Sequence, residues 1–133
     1  MNPLETIEIE FDGGTSCNIP SRGYGRGYGS YRLDRGPITR VTFGNMSANA
    51  AEISTLLAAI ERIRANMPQV RRLRISGDSK IALKWARPQR KTASAKTSLS
   101  FQIVTARLQE LCANYQIETH WRGRAESVRV FRH

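Results

Sequence analysis

The sequence predicts an α/β domain, a mixed sheet with helices packed on it. Three observations carry that reading. Alternating apolar and polar residues recur in three short segments before Gly44, joined by short turn-rich connections, the pattern of an antiparallel meander. Two longer segments then hold apolar residues at helical spacing, each followed by a further short strand, so that helices link the later strands. A chain of 133 residues, 40% of them hydrophobic, is long enough for one domain, residues 1–133, with its own core.

The first strand reads Ile7-Glu8-Ile9-Glu10-Phe11-Asp12, with the apolar residues in one phase and the acids in the other. It ends on Gly13-Gly14, where the backbone can turn sharply and a ligand can approach closely. After a loop, Arg22-Gly23-Tyr24-Gly25 repeats as Arg26-Gly27-Tyr28-Gly29 and runs into a second strand, Tyr28 to Leu33. Asp34-Arg35-Gly36-Pro37 turns the chain into a third strand, Ile38 to Phe43. Ile53, Leu56, Leu57, Ile60, Ile63 and Met67 predict an amphipathic helix over 50–66. Ser47 or Asn49 caps it, Glu52 sits in its first turn and Pro68 stops it. Val70 to Gly77 reads as a fourth strand, with Leu73 and Ile75 inward. Asp78, as N-cap, starts a short helix through Trp85. A second long helix, Ser98 to Asn114, buries Phe101, Val104, Leu108, Leu111, Cys112 and Tyr115. The fifth strand, Ile117 to Arg122, keeps Ile117, Thr119 and Trp121 in one phase, before a short basic tail.

Charge is the strongest bulk signal. Lys and Arg number 21 against 11 Asp and Glu, a net charge of +10. Such an excess draws polyanions, and counterion release makes nucleic acid the expected partner. The charge is also clustered: no acid occurs from Ser79 to Gln109, a stretch that holds Lys80, Lys84, Arg87, Arg90, Lys91, Lys96 and Arg107. Cys17 and Cys112 are the only cysteines, too few for a disulfide framework or a cysteine zinc site, and free thiols suit a cytoplasmic protein. The acidic start, Met1 to Glu10, is not expected to act as a secretory signal, and no apolar run approaches the length of a membrane span.

Asp12, Glu52 and Asp78 each stand at an element boundary. Each has a plain structural explanation: an Asp-Gly turn, a first-turn acid and an N-cap. Brought together, three carboxylates repel one another unless cations neutralise them, and oxygen-only ligation suits Mg²⁺ or Mn²⁺. In a basic chain that combination points to metal-assisted cleavage of a phosphodiester. Two metals roughly 3.5–4 Å apart would activate the attacking water and stabilise the leaving oxygen.

The chain here resembles the type 1 ribonuclease H family. The motifs are Phe11-Asp12-Gly13-Gly14, then Asn49-Ala50-Ala51-Glu52 opening a long helix, then Gly77-Asp78-Ser79 at a strand end, and the closing run from His120 to Ser127. The resemblance implies a five-stranded mixed sheet of order 3-2-1-4-5. It implies hydrolysis of the RNA strand of RNA/DNA hybrids with Mg²⁺ or Mn²⁺, by a monomer that needs no membrane. Asp12, Glu52 and Asp78 match three catalytic, metal-binding carboxylates. The Asn18 region and Asn49 would lie in the minor groove, where contacts to the 2′-hydroxyl tell RNA from DNA. Gly13 and Gly14 would let the hybrid come close. Lys84, Arg87, Arg90 and Lys91 would meet DNA phosphates, and Trp85 would pack beside the DNA backbone or in the core. Arg124 matches the residue that shorter members carry where longer ones place a proton-shuttling histidine.

The sequence departs from the family at its end. The position of a fourth carboxylate falls on Phe131, so the last helix is expected to be absent or one turn long. Glu126 and His133 are the only nearby candidates to replace that ligand. Glu8 and Glu10 agree with an outer sheet face left uncovered. Two alternatives to the endoribonuclease stand beside it: a nucleic-acid-binding module of the same fold with degenerate chemistry, and a DNA nuclease of the same superfamily.

Overall fold

A computed structural model describes residues 5–17, 19, 23–88, 93, 94 and 96–132. Among the described residues five strands and four helices follow one another as β1 (Thr6–Thr15), β2 (Arg26–Leu33), β3 (Thr39–Asn45), α1 (Ala48–Asn66), β4 (Arg72–Gly77), α2 (Lys80–Ala86), α3 (Leu99–Cys112), β5 (Gln116–Trp121) and α4 (Arg124–Phe131). The strands form one sheet of order β3-β2-β1-β4-β5, the expected arrangement. β1 runs antiparallel to β2 and parallel to β4, and β4 runs parallel to β5. The carboxyl ends of β1, β4 and β5 therefore open on the same edge, where ligands of open α/β sheets bind.

One face of the sheet carries the core. Ile7, Ile9 and Phe11 of β1, with Leu73 and Ile75 of β4, pack against Ile53, Leu56, Ile60 and Ile63 of α1 and Leu108 and Leu111 of α3. All of these are buried, as their two- and three-to-four-residue spacings require. Cys112 lies in the same cluster, where burial pushes its thiol up to about 12, a small apolar residue rather than a nucleophile. The second copy of the Arg-Gly-Tyr-Gly repeat lies within β2.

Several boundaries differ from the sequence reading. The chain enters α1 at Ala48, with the Ser47 hydroxyl accepting from the Ala50 amide at 3.2 Å, so Glu52 falls in the second turn rather than the first. Ser79, not Asp78, caps α2, accepting from the Ala82 amide at 3.1 Å. Asp78 is thus released from a capping role. Trp121 is 55% exposed although it shares a phase with Ile117 and Thr119. β5 is an edge strand of the sheet.

The largest correction concerns the end of the chain. α4 is present and eight residues long, about two turns. It lies on the outer face against β1 and buries Ser127 and Phe131. Beneath it Glu10 is not left to solvent but is only 3% exposed. Its carboxylate accepts from Arg32 Nε at 2.8 Å and Nη2 at 3.0 Å, and from Arg122 Nη1 at 2.9 Å. A buried charge of this kind is tolerated only with such partners.

Candidate active site

Two glycines set how closely the three boundary carboxylates can approach. A Cβ on Gly13 would stand 3.0 Å from the Glu52 Cα, so β1 meets α1 only because that side chain is missing. A Cβ on Gly77 would stand 2.8 Å from the Phe11 ring and 3.1 Å from its carbonyl oxygen, so the end of β4 closes on β1 for the same reason. Glu52 is thereby delivered from α1 and Asp78 from the end of β4 to the place where β1 carries Asp12.

The carboxylates act on one another. Burial, then the charge of Asp78, pushes Asp12 up to about 6, and a hydrogen bond shared with Asp78 works in the same direction. The Gly13 amide, donating to Asp12 Oδ1 at 2.9 Å, and the more distant charge of Arg124 oppose the rise. Glu52 is pushed up to about 7, first by burial and then by Asp78 and Asp12, against a hydrogen bond donated by the Ser79 hydroxyl and the charge of Arg124. Ser79 thus holds both the start of α2 and the Glu52 carboxylate. Arg124 opens α4, with Nη1 3.7 Å from Asp78 Oδ2. The four side chains come from β1, α1, the β4–α2 junction and α4.

The donor set fits a hard divalent cation in kind: carboxylate oxygens alone, with Asp12 and Glu52 raised in pKa by burial and then by neighbouring acids, and so relieved by positive charge. It is not drawn together into a ready nest. Among the described residues no group of three or more His, Cys, Asp and Glu side chains is arranged to hold a metal ion. The mutual shifts of Asp12 and Glu52 place them within electrostatic reach of Asp78.

Asn49 is exposed on the first turn of α1, one turn from Glu52, and Gly13 and Gly14 are half-buried beside Asp12. Lys84 and Arg87 are exposed on α2 and at its end, where Arg87 Nε donates to Thr119 Oγ1 at 2.8 Å. Asn18, Arg90, Lys91 and His133 lie outside the described residues. Glu126 turns away from the carboxylates: it pairs with Arg129 at 3.4 Å and lines a cleft of about 370 Å³ with Glu10 and Arg122. Of the two places left open for Trp85, the structure takes the core. That residue is 6% exposed and meets Phe101 edge to face at 6.2 Å, so its ring belongs to the core and cannot lie along a DNA backbone. The exposed indole near the site is that of Trp121, which shares its phase with the half-buried Ile117 and Thr119.

No protein-family model matches the chain, and no curated protein matches it. Solved structures do. The ribonuclease H1 of the archaeon Halobacterium salinarum superposes with a TM-score of 0.67 at 21% identity, over 93% of this chain and 90% of that one. The N-terminal ribonuclease H domain of Rv2228c from Mycobacterium tuberculosis gives 0.72 at 18% identity, over 96% and 88%. LC11-RNase H1, solved in complex with an RNA/DNA hybrid, gives 0.70 at 14% identity, over 92% and 89%. With its 3-2-1-4-5 sheet and four helices, the chain has the ribonuclease H-like fold in the form that these type 1 structures share.

Proposed function

We propose that the chain is a metal-dependent endoribonuclease that hydrolyses the RNA strand of RNA/DNA hybrids. The observation that carries the reading is the convergence of Asp12, Glu52 and Asp78 at the carboxyl ends of parallel strands in a chain of net charge +10. The fold it shares with ribonucleases H, one of them solved with a hybrid bound, supports it.

Asp12, Glu52 and Asp78 would hold the cations. Mg²⁺ or Mn²⁺ supplies Lewis-acid activation of water and charge neutralisation at the scissile phosphate. The chain's own groups do the rest. Ser79 orients Glu52 by donating to it, and the Gly13 amide fixes Asp12. Arg124, 71% exposed at its side chain, reaches from Asp78 toward solvent and offers its guanidinium to a phosphate oxygen. Asn49 and the half-buried Gly13-Gly14 backbone face the incoming minor groove. Lys84 and Arg87 add charge for the opposite strand.

Incubation with an end-labelled hybrid and Mg²⁺ or Mn²⁺ is expected to give internal cuts in the RNA strand, none in the matching DNA duplex, and loss of cutting in chelator. Absence of metal-dependent cleavage alongside salt-sensitive binding would instead favour a nucleic-acid-binding module. That second reading draws on the open arrangement of the carboxylates and on Glu126 pairing elsewhere.

A further inference from the structure

The geometry points to a nucleotide-stacking site built from Trp121 and Lys80, beside the carboxylates but distinct from them. It takes an unpaired base, at a single-stranded end that flanks the duplex. The inference rests on the nucleic-acid reading above and adds to it the form of the substrate.

Trp121 ends β5 with 55% of its surface exposed, the most open aromatic side chain among the described residues. An indole at a surface usually turns its N–H to water. Here Nε1 donates to the Asp78 carbonyl oxygen at 3.2 Å, so the ring is pinned to the backbone of a site residue. Its polar handle is engaged, and what it still offers a ligand is a flat apolar face. Lys80, exposed at the first position of α2, holds its ammonium 4.9 Å from the ring centroid. Arg124 follows three residues along the chain, and Arg87 is tied to β5 through Thr119. Aromatic face and cation together are the recognition elements of a nucleotide: the ring stacks on the base and the ammonium meets the phosphate.

A paired base has no free face, which selects the ligand. Only a base beyond the end of a duplex, or one in a single strand, can lie on the ring. Because Trp121 is pinned to Asp78, a strand that leaves the carboxylates would pass over the indole as it departs the hybrid.

The test uses the whole chain in EDTA, so that binding is read without cleavage. Three labelled ligands are compared: a blunt RNA/DNA hybrid, the same hybrid with short single-stranded extensions at either end, and a single-stranded oligonucleotide. An extension is expected to tighten binding by about 5- to 100-fold. It should also protect the iodide-quenchable fluorescence, which belongs to Trp121 because Trp85 is buried. Trp121→Ala should abolish both effects, Trp121→Phe should keep most of the affinity gain, and Lys80→Ala should reduce it. Equal affinity for blunt and extended hybrids overturns the proposal, as does an indole still open to iodide in the complex. Equal weakening of both ligands by Trp121→Ala also overturns it, since that result assigns the ring to a sugar of the duplex. Thermal melting of each variant separates lost binding from lost folding. If the wild type shows the extension effect yet cuts no hybrid in Mg²⁺ or Mn²⁺, the nuclease reading fails while the stacking site stands.

Discussion

Glu10 and Asp12 sit two residues apart on β1, in the same phase, and each is 3% exposed. The fold treats them in opposite ways. Glu10 is enclosed by Arg32 and Arg122, which satisfy both of its oxygens. Asp12 faces Asp78 and Glu52, and the arginine that tempers it, Arg124, stands against Asp78. One acid is compensated by the protein itself. The other is crowded by two further acids, and the Gly13 amide and the charge of Arg124 work against that crowding. A buried charge with partners built in belongs to the architecture, whereas a buried acid set against like charges marks a candidate functional site.

The sharpest way to break the contrast is to neutralise each acid in turn. Asp12→Asn and Asp78→Asn should lower hybrid cleavage by about 10³-fold or more in a steady-state assay, because groups that act as one unit fail together. Glu10→Gln should leave cleavage by the folded fraction within a few-fold of wild type. An equal collapse of activity in Glu10→Gln would place that residue in the chemistry and erase the distinction.

Stability should run the other way. Glu10→Ala strands two arginines against the sheet, side chains that are 23% and 33% exposed. Removing one partner of a fully buried pair costs about 3–5 kcal/mol, and partial exposure here brings the expected loss to about 2–4 kcal/mol, read from the urea midpoint. Asp12→Asn should stabilise the metal-free protein instead.

The two faces of β1 were not equally legible. Ile7, Ile9 and Phe11 announce a core face by their spacing, and α1 and α3 cover it as the helical periodicities require. The opposite phase alternates acids, and a buried, arginine-matched glutamate looks in a sequence like a solvated one. Its partners are remote, Arg32 on β2 and Arg122 at the end of β5, so no local pattern couples them. α4 was missed because its only large buried residue is Phe131, with Ser127 a turn earlier. A single aromatic and a serine make no stripe. The three carboxylates were visible through their motifs, since Gly13 and Gly77 are the residues that let them meet. Trp85 was left open between core and surface because one aromatic on a short helix does not say which face its neighbours cover, and it is Phe101 of α3 that closes over it.

The finest test of the comparison is its pH dependence without metal. Asp12 rises from 3.8 to about 6 on folding, and Glu52 from 4.5 to about 7. A raised pKa means that the native state binds more protons than the unfolded chain, so ∂ΔG of unfolding with pH is negative through this window. The contribution of Asp12 is fully present below about pH 4 and is lost as pH passes through about 6; that of Glu52 is lost through about 7. Other groups of the protein also respond to pH, so the informative quantity is the difference between Asp12→Asn and wild type across a pH series of melts. That difference should be small near pH 4 and grow to about 1–2 kcal/mol by pH 8, less than the full shift would give because solvent and Arg124 share the load. Saturating Mn²⁺ should then flatten the wild-type curve and leave the variant's unchanged. A difference that shrinks as pH rises would mean that Asp12 is compensated in the folded chain as Glu10 is.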